Sequence, residues 1–176
     1  MIKVKERNIF LIICITLISI LELYYIYTIN IEYKGIYEIG IFTLLIIAQP
    51  FVFGLLLIKK NTISKFETLT IITIYLFLPA IIYFTLPEYT YNDGKEIVEL
   101  SLQQDRTFRF SDSSSGKYTI PVMDNPEQIF VSNREYYYIV DFADETKYFI
   151  VNPLTGELNE LSKDYWSNPG TIKQAV

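Results

Sequence analysis

Residues Ile9 to Ile29 read IFLIICITLISILELYYIYTI, and this stretch decides the class of the fold. It contains one carboxylate, Glu22, and no basic side chain. As a helix it extends about 31 Å, which is enough to cross a hydrocarbon core of about 30 Å. The stretch is therefore predicted to be a transmembrane helix.

A cleaved signal peptide is the competing interpretation of this region, because basic residues precede the apolar stretch. The stretch is longer than the roughly 7 to 15 residues of a signal-peptide core, and no cleavage site of small residues follows it. Instead, Tyr24, Tyr25 and Tyr27 stand where a membrane helix would meet the far interface. We therefore predict a helix that stays in the membrane.

Two further apolar runs have a similar length. One extends from Ile39 to Ile58, and the other from Thr68 to Leu86. Each contains one internal proline, Pro50 and Pro79, which is predicted to kink the helix for packing, with a gating hinge as the alternative. Residues 1–87 are thus predicted to form a region of three transmembrane helices.

The direction of insertion follows from the basic residues. They flank the first span and the connection between the second and third spans: Lys3, Lys5, Arg7, Lys59, Lys60 and Lys65. The loop from Asn30 to Glu38 has only Lys34 beside two acidic residues. Because cytoplasmic loops carry an excess of Lys and Arg, we expect a multi-pass protein of the plasma membrane with a cytoplasmic N-terminus. Three crossings then place the residues after Pro87 outside the cytosol.

Composition excludes several classes of function. The segment from Pro87 to Val176 has eight Lys/Arg and fifteen Asp/Glu, a net charge of 8 − 15 = −7, which argues against binding nucleic acid. The chain has no histidine, and its one cysteine, Cys14, lies in the first apolar run. No intramolecular disulfide and no cysteine or histidine metal site is therefore expected, and no cofactor. The abundance of Ile, Tyr, Asn and Lys is typical of AT-rich bacterial genomes.

After Pro87 the apolar runs become short and alternate with polar residues, a pattern typical of β-strands. The predicted turns are Asn92–Gly94 and Ser113–Gly116, and the shorter predicted strands are Glu96–Leu102, Arg106–Phe110, Lys117–Ile120 and Gln128–Val131. Residues 88–166 are therefore predicted to form an extracytoplasmic, mainly-β domain with an antiparallel sheet. The part from Tyr91 to about Lys163 is expected to fold without the helices. Residues 167–176 are predicted to be a disordered tail.

The clearest pair of strands is a hairpin from Glu135–Phe142 to Lys147–Val151, followed by a turn at Asn152–Gly156 and a returning strand at Glu157–Leu161. Alternation predicts that Tyr136 and Tyr138 share one face of the sheet and that Tyr137 lies on the other. At least one of these tyrosines is expected in the core. The others are candidate residues for binding a protein partner.

The segment from Tyr136 to Leu161 resembles the closing hairpin of PepSY-type domains, in which two aromatic-rich strands precede an Asp-x-x-Thr-Gly turn. Asn152 stands where that pattern usually has Asp. The resemblance implies a small extracytoplasmic module that binds or restrains a partner and is not a catalyst. An ordinary two-stranded meander with a tight turn is the alternative.

Glu22 is the most informative single residue. An ionisable group in the hydrocarbon region costs roughly 2.5 kcal/mol or more at mid-depth and is a functional hypothesis by default. Its candidate polar neighbours are Thr16 and Ser19 on the same helix, Gln49 on the second helix, and Tyr75 and Tyr83 on the third. These groups either form interhelical hydrogen bonds of about 1 kcal/mol each or belong to a proton or ion path. Because three helices are too few to enclose a pore, transport would require an oligomer or a partner.

Two polar clusters in the outer domain have simpler interpretations. Asp141, Asp144 and Glu145 crowd one turn, but they do not have the spacing of a calcium-binding loop, so we predict solvated charges and no metal site. The serines of Ser113–Ser115 have no accompanying histidine or nucleophile-elbow sequence, so we predict a flexible turn.

The sequence thus predicts a protein that is not an enzyme. The leading hypothesis is a small membrane-anchored interaction protein, embedded in the lipid bilayer, whose outer β-domain binds a protein partner. A particular version is an immunity or inhibitor protein that neutralises a toxin at the membrane. The alternative is an accessory subunit of a membrane transporter or channel that uses Glu22 and Gln49.

Overall fold

The computed structural model describes residues 2–59, 64–102, 107–111, 116–122 and 128–167. The helices are α1 (Ile2–Glu32), α2 (Gly40–Lys59), α3 (Lys65–Thr85) and α4 (Tyr91–Leu102), and the strands are β1 (Arg109–Phe110), β2 (Thr119–Pro121), β3 (Arg134–Asp141), β4 (Thr146–Val151) and β5 (Leu158–Leu161). They form two compact units. The helical unit comprises Met1–Ile31 and Glu38–Leu86, and the sheet unit comprises Glu32–Tyr37 and Pro87–Val176.

The helical unit contains three helices that are long and apolar enough to cross a membrane, which confirms the prediction of three such helices. Large apolar side chains remain exposed along all of them, including Leu21, Leu44 and Phe84. Helix α3 begins at a capping box, in which the Ser64 hydroxyl accepts a hydrogen bond from the Glu67 backbone N–H at 3.2 Å. The capping box explains why α3 starts three residues before the predicted Thr68.

The helices pack along regularly spaced seams. On α1 the buried residues follow one another by alternate steps of four and three: Ile15, Ser19, Glu22, Ile26 and Ile29. On α2 the same spacing relates Phe42, Ile46, Gln49 and Phe53. A repeat of this kind places one narrow stripe of each helix against its neighbours, as in bundles of nearly parallel or antiparallel helices. Pro50 and Pro79 lie within α2 and α3, and both helices continue past them.

The three helices meet in a cluster formed by Ile15, Phe53, Leu57 and Tyr75. The rings of Phe53 and Tyr75 are 5.8 Å apart. Towards the start of α1, the Asn8 side-chain amide donates to the Leu57 carbonyl at 2.9 Å. The cluster therefore fixes which turns of the three helices lie beside one another.

The sheet unit is built on an antiparallel sheet in the order β1-β3-β4-β5, with β2 also paired to β3. The predicted hairpin is confirmed, with Tyr136 opposite Val151 at one end and Asp141 opposite Thr146 at the other. Strand β5 then returns beside β4. The turn between them uses Gly156 at φ 70°, a conformation that glycine adopts without steric cost.

The predicted strand Glu96–Leu102 and the predicted turn Asn92–Gly94 are wrong, because both lie within helix α4. Thr90 and Asp93 form a capping box: the Asp93 carboxylate accepts from the Thr90 N–H at 2.7 Å, and the Thr90 hydroxyl accepts from the Asp93 N–H at 3.2 Å. The capping box satisfies the first backbone donors of the helix and outweighs the turn preference of Asn-Asp-Gly.

The remaining strand predictions had mixed outcomes. The strand predicted at Arg106–Phe110 is present only at Arg109–Phe110, because Thr107 and Phe108 are not in a strand and Arg106 lies outside the described residues. The strand predicted at Lys117–Ile120 corresponds to β2, Thr119–Pro121. The segment predicted at Gln128–Val131 is not a strand, although Val131 forms an isolated bridge. The Ser113–Gly116 turn, except Gly116, and the tail beyond Ser167 lie outside the described residues.

Both faces of the sheet are covered. On one face Tyr136 and Tyr138 reach α4, where the Tyr138 hydroxyl donates to the Tyr91 carbonyl at 2.7 Å. On the other face a buried cluster forms from Ile120, Tyr137, Ile150 and Leu161, with Ile139, Tyr148, Tyr165 and Trp166 packed against it. The sheet unit therefore has one apolar layer on each side of the sheet.

The connection between α1 and α2 belongs to the sheet unit. Ile36 is fully buried, and its carbonyl accepts a hydrogen bond from the Ser132 backbone N–H at 2.9 Å. The Tyr33 hydroxyl donates to the Pro87 carbonyl at 3.3 Å, and the Lys34 ammonium lies 4.8 Å from the centre of the Tyr118 ring. Two segments far apart in the chain thus complete one unit.

Candidate functional site

The predicted polar residues of the helices separate into buried and exposed ones. Ser19, Glu22 and Gln49 are buried, at 4%, 6% and 8% exposure. Thr16 is exposed, and its hydroxyl donates to the Ile12 carbonyl of its own helix at 2.9 Å. Tyr83 is 65% exposed. The polar stripe predicted on α1 is therefore only partly buried, and Thr16 and Tyr83 point away from the core.

Ser19 on α1 and Tyr75 on α3 share a hydrogen bond of 3.3 Å between their hydroxyl oxygens. Tyr75 is 5% exposed, and its ring packs against that of Phe53 on α2. A hydrogen bond between two neutral hydroxyls is one of the interactions that hold helices together in an apolar surrounding. This pair fixes the level of α3 relative to α1.

Glu22 and Gln49 lie at one level of the helical unit. Ser19 on α1 and Phe53 on α2 both pack against Tyr75 on α3, so they lie at one level. Glu22 is one turn after Ser19, and Gln49 is one turn before Phe53. Because α1 and α2 are antiparallel, both steps lead in the same direction. The helix ends support the same register, because Glu22 is about 15 Å from the end of α1 and Gln49 about 14 Å from the start of α2. The sequence placed Glu22 nearer the helix end because α1 was expected to stop at Ile29.

Three oxygen atoms at this level lack hydrogen-bond partners within the part of the chain that the structure describes. They are both carboxylate oxygens of Glu22 and the amide oxygen of Gln49. Buried polar atoms are nearly always paired, so each unpaired one requires an explanation. All three are acceptors, and the site is therefore suited to a cation or to a hydrogen-bond donor.

The three consecutive tyrosines proposed for partner binding are core residues. Tyr136, Tyr137 and Tyr138 are at most 1% exposed. The Tyr136 hydroxyl donates to the Tyr89 carbonyl at 3.0 Å, and the Tyr137 hydroxyl donates to the Asp164 carboxylate at 2.7 Å. Burial raises the pKa of all three phenols above the ordinary value of 10.0. Each is packed inside the unit, which agrees with the expectation that at least one lies in the core, and none of the three is left exposed as a candidate surface residue.

The acidic turn of the hairpin is solvent-facing. The Asp141 carboxylate accepts from the Thr146 hydroxyl at 2.8 Å, and Asp144 and Glu145 are exposed. Among the described residues, no group of three or more His, Cys, Asp or Glu side chains is arranged to hold a metal ion.

Among the described residues, no strand pairs with the outer side of β5, which forms an edge of the sheet. In an antiparallel pair of strands, every second residue forms hydrogen bonds to the neighbouring strand. The hydrogen bond from the Asn152 N–H to the Glu157 carbonyl shows which residues of β5 do so. Asn159 and Leu161 therefore pair with β4, whereas the N–H and C=O groups of Leu158 and Glu160 point away from the sheet. The sequence predicted this strand. Its unpaired edge could be recognised only from the order of the strands in the sheet.

The side chains around this edge are mostly acidic or polar. Glu157, Asn159 and Glu160 are exposed. The Glu160 carboxylate forms a salt bridge of 3.1 Å with the Lys147 ammonium on β4. The edge therefore combines unpaired backbone groups with negative charge, a combination suited to an extended segment with basic side chains.

No protein-family model matches the chain, and neither does any curated protein or solved structure. The resemblance of Tyr136–Leu161 to a PepSY-type hairpin therefore stays a prediction. Function is inferred below from the residues and the geometry of the chain itself.

Proposed function

We propose that this chain is a small membrane-anchored interaction protein. Its three apolar helices cross the plasma membrane from a cytoplasmic N-terminus, and its sheet unit lies outside the cytosol and binds a protein partner. The exposed apolar side chains of the three helices and the basic residues beside Ile9 and Lys59 support this placement.

The free edge of β5 is the observation that carries the proposal. Both faces of the sheet are covered, and among the described residues the backbone groups of Leu158 and Glu160 form an edge that is open to a further strand. Recognition of an extended peptide by strand addition uses main-chain hydrogen bonds for affinity and alternate side chains for specificity. The partner is accordingly a protein with an accessible extended segment.

Charge indicates the composition of that segment. The chain from Pro87 onward has a net charge of 8 − 15 = −7, and Glu157 and Glu160 flank the edge. Complementary charge steers association and disfavours acidic competitors, so the bound segment is basic. One form of this role is an immunity or inhibitor protein that restrains a toxin at the membrane, in line with the PepSY-type resemblance.

The test is co-purification of the full-length chain in mild detergent from its native cells. Glu160→Pro removes an N–H that points outward and leaves the β4 ladder bonds in place. Glu160→Thr is the matched control, because it removes the same charge and keeps the N–H. We expect a stoichiometric partner with the wild type and Glu160→Thr and its loss with Glu160→Pro. A partner retained by a folded Glu160→Pro protein would contradict binding at this edge.

A second candidate function is an accessory subunit of a membrane transporter or channel. The observation in its favour is the layer of buried acceptors at Glu22 and Gln49, which a simple anchor does not require. The same purification separates the candidates, because a subunit would co-purify with a large membrane complex and would do so equally well when Glu160 is proline.

A further inference from the structure

Hydrogen bonds between the helices do not explain the polar atoms that are buried at the level of Glu22 and Gln49. Interhelical hydrogen bonds were one interpretation of these residues, but within the described chain neither Glu22 oxygen has a hydrogen-bond partner. The amide oxygen of Gln49 has none either. A polar pair that served only to hold α1 against α2 would be expected to bond directly.

We propose that Glu22 and Gln49 form an intramembrane binding site for one small monovalent cation of the Na⁺ type. The three unpaired atoms are oxygens and acceptors, which is the ligand chemistry that hard cations prefer. The hydroxyl oxygens of Ser19 and Tyr75 lie about one helical turn away. The site goes beyond partner binding by the sheet unit and does not depend on it.

Charge balance favours a cation with a single positive charge. Among the described residues of the helical unit, Glu22 is the one charged side chain that is buried. One carboxylate with one monovalent cation is neutral, whereas a divalent ion would leave a net charge in an apolar surrounding at a large cost. In the layer towards the helix ends, the fully buried side chains among the described residues are the apolar ones of Ile26, Ile46 and Ile82.

The test is equilibrium binding of radioactive ²²Na⁺ to the full-length chain in lipid nanodiscs, with choline chloride holding the ionic strength constant. We expect one saturable site per chain. Glu22→Gln keeps the shape and removes the charge, and it should weaken binding by at least about tenfold. Gln49→Leu removes one ligand oxygen and should weaken binding by a smaller factor.

Thr16→Val is the matched control, because Thr16 lies on the same helix but its hydroxyl bonds to its own backbone away from the core. It should leave Na⁺ binding unchanged. Helical circular dichroism and a single particle size show that each variant is folded. Where Glu22→Gln fails these checks, Glu22→Asp replaces it and should bind more weakly than the wild type.

The absence of saturable Na⁺ binding to the wild type would overturn the proposal, and so would equal affinity in a folded Glu22→Gln protein. Displacement of bound Na⁺ by equimolar Ca²⁺ but not by Li⁺ or K⁺ would overturn the monovalent assignment. Bound ²²Na⁺ that changes with pH, but that unlabelled Na⁺ lowers no more than choline does, would show protonation only. That result would also overturn the proposal. Because no partner protein is present in the assay, these outcomes are separate from the test at Glu160.

Discussion

The main chain of Tyr37 pairs with that of Val131 in an isolated antiparallel bridge. The next residues strengthen this join, since both the N–H and the hydroxyl of Ser132 donate to the Ile36 carbonyl at 2.9 Å. The connection between α1 and α2 is therefore part of the sheet unit and not only a link between two helices. On the proposed topology, both segments lie on the outer side of the membrane.

The sheet unit should be much less stable without this connection. We expect a soluble fragment of residues 87–167 to gain several kcal/mol of unfolding free energy when Glu32–Tyr37 is joined to it by a flexible linker. The reason is that Tyr33, Ile36 and Tyr37 are buried, and each buried side chain of this size contributes about 1.5 to 3 kcal/mol. Chemical denaturation followed by Trp166 fluorescence measures the difference.

The matched control for this fragment carries Ile36→Asp in the joined segment. It has the same length and linker, but an unpaired carboxylate replaces a fully buried side chain, so it should gain little or no stability. Equal stability of all three fragments would show that the segment does not contribute to the fold of the sheet unit.

The membrane topology can be tested by labelling single cysteines in a Cys14→Ala background. Ala143 lies exposed on the β3-β4 turn, and Asn61 lies in the connection between α2 and α3. In intact cells, Ala143→Cys should react with an impermeant maleimide, and Asn61→Cys should react only after the membrane is permeabilised. Labelling in the opposite order would reject the cytoplasmic N-terminus.

The sheet unit should lose stability in alkaline solution. Burial raises the pKa of Tyr136, Tyr137 and Tyr138 above 10.0, so the folded state favours their neutral form. Their contribution is complete below pH 10 and is lost as the pH rises above it, by at most about 4 kcal/mol per pH unit for three groups. Tyrosinate absorbance and Trp166 fluorescence should therefore change together.

Tyr137→Phe provides the control for this pH dependence. The variant loses the hydrogen bond to Asp164 and is less stable at neutral pH, but it has one titrating group fewer in the core. The slope of unfolding free energy against pH above 10 should fall by about a third. An unchanged slope would mean that other groups cause the alkaline transition.

The sequence predicted the elements whose pattern is local. The three apolar runs are longer than ordinary core helices. The alternation of side chains in Tyr136–Phe142 indicates a strand regardless of which other strands pair with it. Helix α4 was missed because Asn92-Asp93-Gly94 is a common turn sequence. The Thr90–Asp93 capping box and the helical spacing of Tyr91, Gly94 and Val98 were the signals that would have identified it.

The candidate sites depended on contacts that no local pattern contains. Glu22 and Gln49 were identified individually, but their common level follows from the Ser19–Tyr75 hydrogen bond together with the contact between the Phe53 and Tyr75 rings. The burial of three consecutive tyrosines required a layer on each face of β3, and one of those layers is the helix that the sequence did not predict. Tertiary packing thus decided which aromatic residues are accessible.

The packing of α4 on β3 depends on the absence of a side chain at Gly94. A Cβ atom built at Gly94 would overlap the Tyr138 hydroxyl, which donates to the Tyr91 carbonyl in the first turn of α4. Gly94→Ala should therefore destabilise the sheet unit by roughly 1 to 2 kcal/mol, since overpacking of about 1 to 3 kcal/mol exceeds the gain of up to about 1 kcal/mol in helix propensity.

A double-mutant cycle isolates this overlap from other effects of the substitution. Tyr138→Phe removes the hydroxyl, so Gly94→Ala should cost less in that background, with a coupling energy of about 1 kcal/mol or more by denaturant unfolding followed by Trp166 fluorescence. Glu96→Ala, at an exposed position of the same helix, should show no coupling with Tyr138→Phe. If Gly94→Ala had the same effect in both backgrounds, the close approach of α4 to β3 would not be what requires glycine at this position.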